Sequence, residues 1–164
     1  MLRLRPYQDT DADVILSWPM EEKAFYQWTA GMLGGYPLSG DRFARLDSLM
    51  RFTLLDDAEP AGFFTLRNPS GTPEVVRFGF VIVDPRKRGR GYGKEMLRLG
   101  LRYAFEIYGA RKATLGVFEN NPAAYFCYKA AGFKDIPAEK PETYRVLGEN
   151  WQCLELAIEK EDEA

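Results

Sequence analysis

The sequence contains no histidine, and this absence excludes several kinds of chemistry. Without an imidazole, the chain cannot build Ser-His-Asp or Cys-His nucleophilic catalysis, an HExxH motif or any zinc site that uses histidine. The two cysteines, Cys127 and Cys153, are too few for a four-thiolate metal site or a disulfide framework. We therefore expect no bound metal, and any acid–base chemistry must use Asp, Glu, Tyr, Lys, Cys or water.

Long apolar runs are also missing, since no segment approaches the ~20 apolar residues of a membrane-spanning helix. The first residues, MLRLRPYQDTDAD, lack the apolar stretch of a signal peptide. We therefore expect a cytoplasmic protein with no membrane partner. A strong charge of one sign is missing too, because 22 basic and 24 acidic residues give a formal net charge of −2. This balance, with a sequence pI of about 5.4, does not favour a nucleic-acid partner.

The length and composition that remain suit a single folded unit. The chain has 164 residues, of which 46% are hydrophobic, and this is enough to bury a core without disulfides or metals. It contains no repeat, low-complexity tract or linker. The sequence therefore predicts one domain over residues 1–164, in which the acidic residues 159–164 form a frayed tail.

Hydrophobic periodicity and turn residues predict an α/β protein. The predicted strands are Leu2–Arg5, Arg51–Leu55, Ala61–Leu66, Val75–Val83, Lys112–Val117, a strand that begins at Phe133, and Trp151–Ile158. The predicted helices run from Thr10 or Asp11 to Trp18 and over Met20–Trp28, Asp41–Leu49, Gly91–Tyr108 and Asn121–Ala131. The strand–helix–strand unit Val75–Val117 is expected to join two parallel strands through a right-handed crossover.

One segment combines the end of a strand with glycines and cations. From Val81 to Lys94 the sequence reads VIVDPRKRGRGYGK, so a buried strand leads into a basic turn and the start of a helix. A helix N-terminus offers free backbone N–H groups, and glycine lets that backbone approach an anion closely. The segment predicts a phosphate or pyrophosphate site. The simpler alternative is a tight turn that needs glycine and carries a solvated charged face.

Two common phosphate motifs do not fit this segment. A Walker loop needs four residues between its first glycine and Gly-Lys, followed by Ser or Thr. Here three residues separate Gly89 from Gly93, and Glu95 stands at the hydroxyl position. The dinucleotide fingerprint Gly-x-Gly-x-x-Gly also disagrees with the alternating glycines.

Two other motifs do fit. They are Arg88-x-x-Gly91-x-Gly93 after Val83-x-Pro85, and Asn121-x-x-Ala124-x-x-x-Tyr128-x-x-x-Gly132-Phe133. In this order, with one predicted strand between them, they resemble the acetyl-coenzyme-A (acetyl-CoA) signature of the GNAT family of N-acetyltransferases. The resemblance extends over essentially the whole chain. It implies a mixed, mostly antiparallel sheet with a central splayed pair of parallel strands, flanked by helices. The opening LRLRP, the Trp-rich first helices and the late GENW are most similar to the ribosomal-protein-acetylating branch.

The resemblance also implies a cosubstrate and residue roles. Acetyl-CoA would donate its acetyl group to a primary amine, on a small molecule or a protein, by direct attack, and a homodimer is possible. Val81 and Val83 would offer main-chain hydrogen bonds to the pantetheine arm, and Asn121 would contact the cofactor nearby. Tyr128 would lie beside the thioester sulfur as general acid. The pyrophosphate would be surrounded by Arg88, Gly89, Arg90, Gly91, Tyr92, Gly93 and Lys94.

Several of these residues also have simpler interpretations. Tyr128 could be one more aromatic on a packed helix, Asn121 could be only a helix cap, and Cys127 has no base to activate it. The first helices carry Trp18, Tyr26 and Trp28, which could line a substrate cleft or pack in the core. Two other functions also stay open: a non-catalytic acyl-CoA-binding sensor on the same fold, and a nucleic-acid-binding module that uses the patch Arg86–Lys94.

The general base is the main departure from the family pattern. Many members carry a glutamate on the strand before the second motif, and Gly116 stands at that position here. We predict that no protein carboxylate acts as the direct base and that the amine loses its proton to water. Glu119, Glu74 and Glu142 are the remaining candidates.

Overall fold

The strands form one mixed sheet, in which a single neighbouring pair is parallel. The computed structural model describes residues 1–19, 21–137 and 140–161. Within them, eight strands pair in the order β1-β2-β3-β4-β5-β8-β6, and β7 pairs with β8. Only β4 and β5 are parallel neighbours, which confirms the predicted mixed, mostly antiparallel sheet. The strands are β1 (Leu2–Pro6), β2 (Met50–Asp56), β3 (Glu59–Arg67), β4 (Val75–Val83), β5 (Lys112–Phe118), β6 (Lys134–Asp135), β7 (Glu142–Val146) and β8 (Glu149–Glu159).

Helices cover both faces of this sheet. They are α1 (Ala12–Leu16), α2 (Glu22–Thr29), α3 (Gly40–Phe43), α4 (Tyr92–Arg102) and α5 (Pro122–Ala130). A π-helical segment, Tyr103–Tyr108, continues α4, so the predicted long helix is confirmed apart from its first residue and its last turns. None of the helices in the described ranges is long and apolar enough to cross a membrane.

The hydrophobic core lies in two layers, one on each face of the sheet. Side chains from β2–β5 and β8 pack under α4 and α5, with Phe64, Phe78 and Leu97 fully or almost fully buried. On the other face, α1–α3 bury an aromatic cluster around Phe25 and Phe43. The sheet is therefore sandwiched between helices, and a ligand can reach its central strands from either face only where helices leave an opening.

The first helix is held to the sheet by a buried carboxylate. Both terminal nitrogens of Arg5 donate hydrogen bonds of 2.8 Å to Asp11, which also accepts from the Thr53 hydroxyl at 2.8 Å and the Gln8 N–H at 3.0 Å. Asp11 immediately precedes α1 and is only 3% exposed. The network therefore connects β1, β2 and the start of α1 through one side chain.

The structure differs from the predicted elements mainly near the C-terminus. The strand expected from Phe133 is the short β6, and the hairpin strand β7 was not predicted. The predicted tail was wrong at its first residues, because Glu159 pairs with Lys112 and the Lys160 N–H donates to the Arg111 carbonyl. Residues 162–164 of that tail, like Met20 of the predicted second helix, lie outside the described residues.

Candidate active site

The central parallel strands pair briefly and then diverge. β4 and β5 pair at three positions, and the last of these joins Arg77 to Thr114. Beyond it, β4 continues to Val83 and β5 to Phe118 without further pairing between them. A gap therefore opens in the middle of the sheet, and the predicted splayed parallel pair is confirmed.

A bulge in β4 lies at this gap. The β3–β4 register passes from Thr65 opposite Gly79 to Phe63 opposite Ile82, so β4 contains one extra residue. Phe80 occupies the bulge with a φ of 51°, a left-handed conformation that is rare for an aromatic residue. The indole N–H of Trp28 donates to the Phe80 carbonyl at 2.8 Å, so α2 holds the bulge in place.

Val81 and Val83 follow this bulge, on the part of β4 that has no β5 partner. Their side chains are half-buried against the core layer beneath α4 and α5. Because β5 has moved away, the backbone N–H and C=O groups on this edge are available to an extended ligand, as in strand addition. The pantetheine contacts predicted at Val81 and Val83 fit this placement.

The basic, glycine-rich turn follows β4 directly. Gly89 and Gly91 have φ values of 77° and 79°, and a Cβ at either position would meet nothing within 4 Å. The backbone here is therefore left-handed and open to the outside, and Gly91 is the N-cap of α4. A helix N-terminus with this access is suited to a pyrophosphate.

The cations of this turn divide into two groups. Arg86 donates to the buried Asp84 at 2.9 Å, and the Lys87 ammonium lies 3.4 Å from Asp56. The other three cations have no ion-pair partner in the described part of the chain; they are Arg88, Arg90 and Lys94. These three are all among the residues predicted to surround the pyrophosphate. The turn therefore offers a phosphate three cations that are unpaired among the described residues, where the sequence alone suggests five.

Two other residues of the turn have structural contacts. The Tyr92 hydroxyl donates to Asp56 at 2.8 Å, so this side chain is engaged at the end of β2. A Cβ at Gly93 would lie 2.9 Å from the Cys127 sulfur. Gly93 is therefore needed for the close approach of α4 to α5, in addition to any contact with phosphate.

Tyr128 lies on α5 in the core layer that also contains Val117 of β5. Its side chain is 7% exposed, and its hydroxyl forms no hydrogen bond with the residues that the structure describes. Burial, and to a smaller extent the neighbouring Cys127, raise the pKa of Tyr128 well above its usual value. The phenol is therefore protonated at neutral pH and has a proton to donate.

The neighbours of Tyr128 on α5 have simpler roles. The Asn121 side chain accepts a hydrogen bond of 3.4 Å from the Ala124 N–H, so Asn121 is the N-cap of α5, as its alternative interpretation predicts. Burial raises the pKa of the Cys127 thiol, although Lys94 acts in the opposite direction. A protonated thiol packed against Gly93 is a packing group and not a nucleophile.

Gly116 is covered by an ion pair that the sequence does not reveal. Arg77 of β4 donates to Glu155 of β8 at 2.7 and 2.8 Å, and Glu155 pairs directly with Gly116 in the β5–β8 register. A Cβ at Gly116 would lie 2.9 Å from the Arg77 guanidinium and from the Cys153 sulfur. Glycine therefore lets the pair cross β5, and the carboxylate nearest to this position comes from the neighbouring strand.

Among the carboxylates considered as bases, Glu74 and Glu119 are exposed, and Glu142 begins β7 beside a second, adjoining pocket. Glu155 was missed because the sequence does not reveal which residue of β8 faces Gly116.

A pocket lies across the gap, with a volume of about 580 Å³. β4 contributes Arg77–Phe80 and β5 contributes Gly116–Phe118, so the pocket spans both strands at the point where they separate. Trp28 lines it from α2, which fits the predicted cleft position, whereas Trp18 is 2% exposed and packs in the core. Tyr26 faces the adjoining pocket.

The loop between α2 and α3, residues 30–39, forms part of the wall of this pocket. Met32 and Leu33 line the pocket from this loop. The Arg42 guanidinium donates to the carbonyls of Leu33, Gly35 and Pro37 at 2.7, 2.8 and 2.5 Å, which binds the loop to the start of α3. These hydrogen bonds therefore hold the loop in one position at the side of the pocket.

The sheet thus opens between two parallel strands, with an open basic turn beside the opening and a pocket across it. Residues 8–133 match the family model described as Acetyltransferase (GNAT) family, and the chain belongs to this family. The predicted family is thereby confirmed.

Similar proteins include several amine acetyltransferases. The chain is 34% identical over 67 residues to the spermine/spermidine N(1)-acetyltransferase of Bacillus subtilis, which is 41% of this chain and 42% of that protein. It is 36% identical over 80 residues to the mycothiol acetyltransferase of Corynebacterium glutamicum. The matched residues are 49% of this chain and 26% of that protein. The matches thus span less than half of these relatives' own lengths.

The fold is also similar to that of solved structures. The spermidine N-acetyltransferase of Vibrio cholerae in complex with CoA and spermine superposes with a TM-score of 0.80 at 20% identity. The superposition covers 96% of this chain and 95% of the other. At this identity the likeness concerns the fold.

Proposed function

We propose that this chain is an acetyl-CoA-dependent N-acetyltransferase that transfers the acetyl group directly to a primary amine in a ternary complex. The observation that carries the proposal is the gap between β4 and β5, which has the open glycine turn beside it and the pocket across it. In this arrangement, a cosubstrate and an acceptor can approach the same point from different directions.

The residues present suit acetyl-CoA at the first of these sites. Val81 and Val83 would hold the pantetheine along the unpaired edge of β4, and Asn121 would lie near it at the start of α5. Arg88, Gly89, Arg90, Gly91, the Tyr92 backbone, Gly93 and Lys94 would hold the pyrophosphate through N–H groups and uncompensated cations. When bound, acetyl-CoA supplies an acetyl group already activated as a thioester.

Proton transfers from Tyr128 and from the acceptor amine accompany the reaction. Attack by the neutral amine forms the N–C bond while the C–S bond breaks, and the Tyr128 hydroxyl donates its proton to the departing sulfur. The ammonium form of the acceptor gives up one proton to water before attack, and the nitrogen gives up a second after attack, because Gly116 replaces the usual carboxylate and Glu155 is engaged by Arg77. Tyr128 then regains a proton from solvent. Such general-acid help contributes about 10²–10⁴-fold.

The acceptor is a small-molecule amine, because a cavity of about 580 Å³ matches ligands of that size. Polyamines are named as the substrates of two of the relatives described above, and the expected ribosomal-protein branch gains no support from those relatives. The protein acts in the cytoplasm. Light scattering would distinguish a monomer from the homodimer that the family resemblance implies.

The test is acetyl transfer to a panel of amines, followed by mass spectrometry together with detection of the free CoA thiol. The proposal predicts one acetylated amine for each thiol released. Tight CoA binding without transfer to any amine would instead favour the non-catalytic sensor.

A further inference from the structure

The pocket that spans the gap is lined by positive charge, although the chain as a whole is slightly acidic. Three arginines line it, Arg45, Arg67 and Arg77, and no Asp or Glu stands among its lining residues in the described ranges. The whole chain carries more acidic than basic residues, so this local excess of positive charge is opposite in sign to the average.

Two of these arginines face each other directly. Arg67, the last residue of β3, pairs with Arg77 of β4 in the antiparallel register. Side chains at such positions project from the same face, with Cβ atoms about 5 Å apart, and like charges there repel. The two arginines therefore start side by side on the sheet, but the Arg77 guanidinium reaches across β5 to Glu155 and leaves Arg67 at the edge of the pocket.

Only one member of this pair has its charge compensated within the chain. Glu155 accepts two hydrogen bonds from Arg77, at 2.7 and 2.8 Å. Arg67 and Arg45 have no carboxylate partner among the residues described, and both are exposed. Arg45 lies in the 3₁₀ segment Ala44–Ser48, so it enters the pocket from a different element. Two uncompensated cations thus remain around the acceptor.

One hydroxyl group of the pocket suits the same kind of ligand. Ser48 is exposed and lines the cavity, whereas Thr29 is buried and its hydroxyl accepts a hydrogen bond from the Gly31 N–H. Hydroxyl and guanidinium groups together are donors for carboxylate or phosphate oxygens. An acceptor with a second ammonium group, such as a polyamine, would meet cations and find no carboxylate in this lining.

We propose that the acceptor is an amine that also carries an anionic group, which Arg45 and Arg67 bind while the amine reaches the gap. This inference rests on the proposed function and names the substrate class of that same site. Arg77 is held by Glu155, so it is not assigned to the ligand.

The test compares acceptors that differ only in the group at their far end. On one four-methylene chain, δ-aminovalerate, pentylamine and cadaverine carry a carboxylate, a methyl and a charged aminomethyl group there. On a three-methylene chain, γ-aminobutyrate, butylamine and putrescine carry the same three groups. We expect kcat/KM to fall in that order in at least one series, by on the order of tenfold from carboxylate to methyl, because hydrogen bonds to charged groups are strong. The difference should lie mainly in KM and should shrink at high salt.

The variant Arg45→Gln/Arg67→Gln should remove the preference for the carboxylate by lowering kcat/KM for δ-aminovalerate to that for pentylamine, with the thermal shift by CoA retained. Arg98→Gln is the matched control, because Arg98 is an exposed arginine of α4 outside the pocket. Faster transfer to cadaverine, putrescine or spermidine than to the carboxylates would overturn the inference and leave the proposed function intact. A carboxylate preference that survives in the double variant would overturn the assignment to these arginines. If no amine is acetylated although CoA binds, the proposed function fails and this inference with it.

Discussion

The Tyr128 side chain is mostly buried, and its hydroxyl forms no hydrogen bond with the residues that the structure describes. Because its pKa is raised, we expect the phenol to stay protonated throughout the neutral range and to act only as a donor. Replacement by phenylalanine removes the donor and little volume. Tyr128→Phe should lower kcat by about 10²-fold, with the thermal shift by CoA unchanged.

A second tyrosine of the same helix provides the control. Tyr125 lies one turn earlier on α5, and its hydroxyl donates to Asp135 at 2.9 Å, away from the core. Tyr125→Phe should leave kcat within about twofold. Equal rates for the wild-type protein and Tyr128→Phe, with chemistry shown to limit turnover, would make Tyr128 a packing residue only.

A substitution at Gly91 tests the pyrophosphate site and disturbs packing less than one at Gly93, because nothing lies within 4 Å of an added Cβ at Gly91. Valine at this position would strain a backbone with a φ of 79° and cover the open N-terminus of α4. The wild-type protein should gain about 2.7 kcal/mol at a CoA concentration one hundred times Kd, and Gly91→Val should lose this gain. Differential scanning fluorimetry with and without CoA measures both.

A glycine in another exposed turn provides a control for the effect of backbone strain alone. Gly71 has a φ of 74° and nothing within 4 Å of an added Cβ, but it lies between β3 and β4, away from the basic turn. Gly71→Val should therefore cost similar stability and retain the full response to CoA. Gly93→Val is less informative, because it would also push against Cys127. A full CoA response in Gly91→Val would contradict the assigned site.

At the scale of elements, Asp11 determines how α1 is attached to the sheet. Burial raises the pKa of the Asp11 carboxyl, but hydrogen bonds from Arg5, Gln8 and Thr53 outweigh burial and hold the pKa below its usual value. Because the pKa of Asp11 is lower in the folded state than in the unfolded state, the ionised carboxylate stabilises the folded protein at any pH above the unfolded-state pKa. This contribution is lost as the pH falls through the folded-state pKa. We expect the loss below about pH 4.

Asp11→Asn should lower the free energy of unfolding by on the order of 3 kcal/mol at neutral pH, because it leaves Arg5 without its counter-charge. Urea unfolding at neutral and acid pH measures the effect. The difference between wild-type and variant should narrow as the pH falls. A constant difference across the pH range would show that the carboxylate charge does not stabilise this attachment.

The elements differ in how well the sequence predicts them. β4, β5 and the hairpin strands β2 and β3 are apolar runs bounded by turns, so they were predicted within about two residues of their observed ends. β7 was not predicted, because its sequence ETYRV is polar and most of its residues are exposed. Its partner β8, and not its own composition, makes it a strand.

The site was predictable only where one continuous segment forms it. The residues from Arg88 to Lys94 and those of α5 are local motifs, and the structure places them where phosphate and core contacts fit. The pocket combines residues from α2, β3, β4, β5 and β7, and the contact between Arg77 of β4 and Glu155 of β8 crosses β5. These depend on register, since a shift of one residue would turn each side chain to the other face.

At the scale of the whole molecule, the proposed absence of a protein base predicts how the rate depends on pH. The acceptor would lose its proton to water, so kcat/KM should rise with pH along the pKa of the amine itself. Two acceptors of different basicity, such as pentylamine and benzylamine, should give profiles displaced by the difference in their pKa values. One inflection near about pH 6 to 7 for both amines would reveal a protein base, and Glu155→Gln would then be the first variant to make.

The central claim is that the gap between β4 and β5 holds the cosubstrate, and a crystal structure with bound CoA tests it most directly. We expect pantetheine density along Val81 and Val83, pyrophosphate density at the turn from Arg88 to Lys94, and the sulfur next to the Tyr128 hydroxyl. CoA bound elsewhere, with the gap between the two strands left without ligand density, would contradict it.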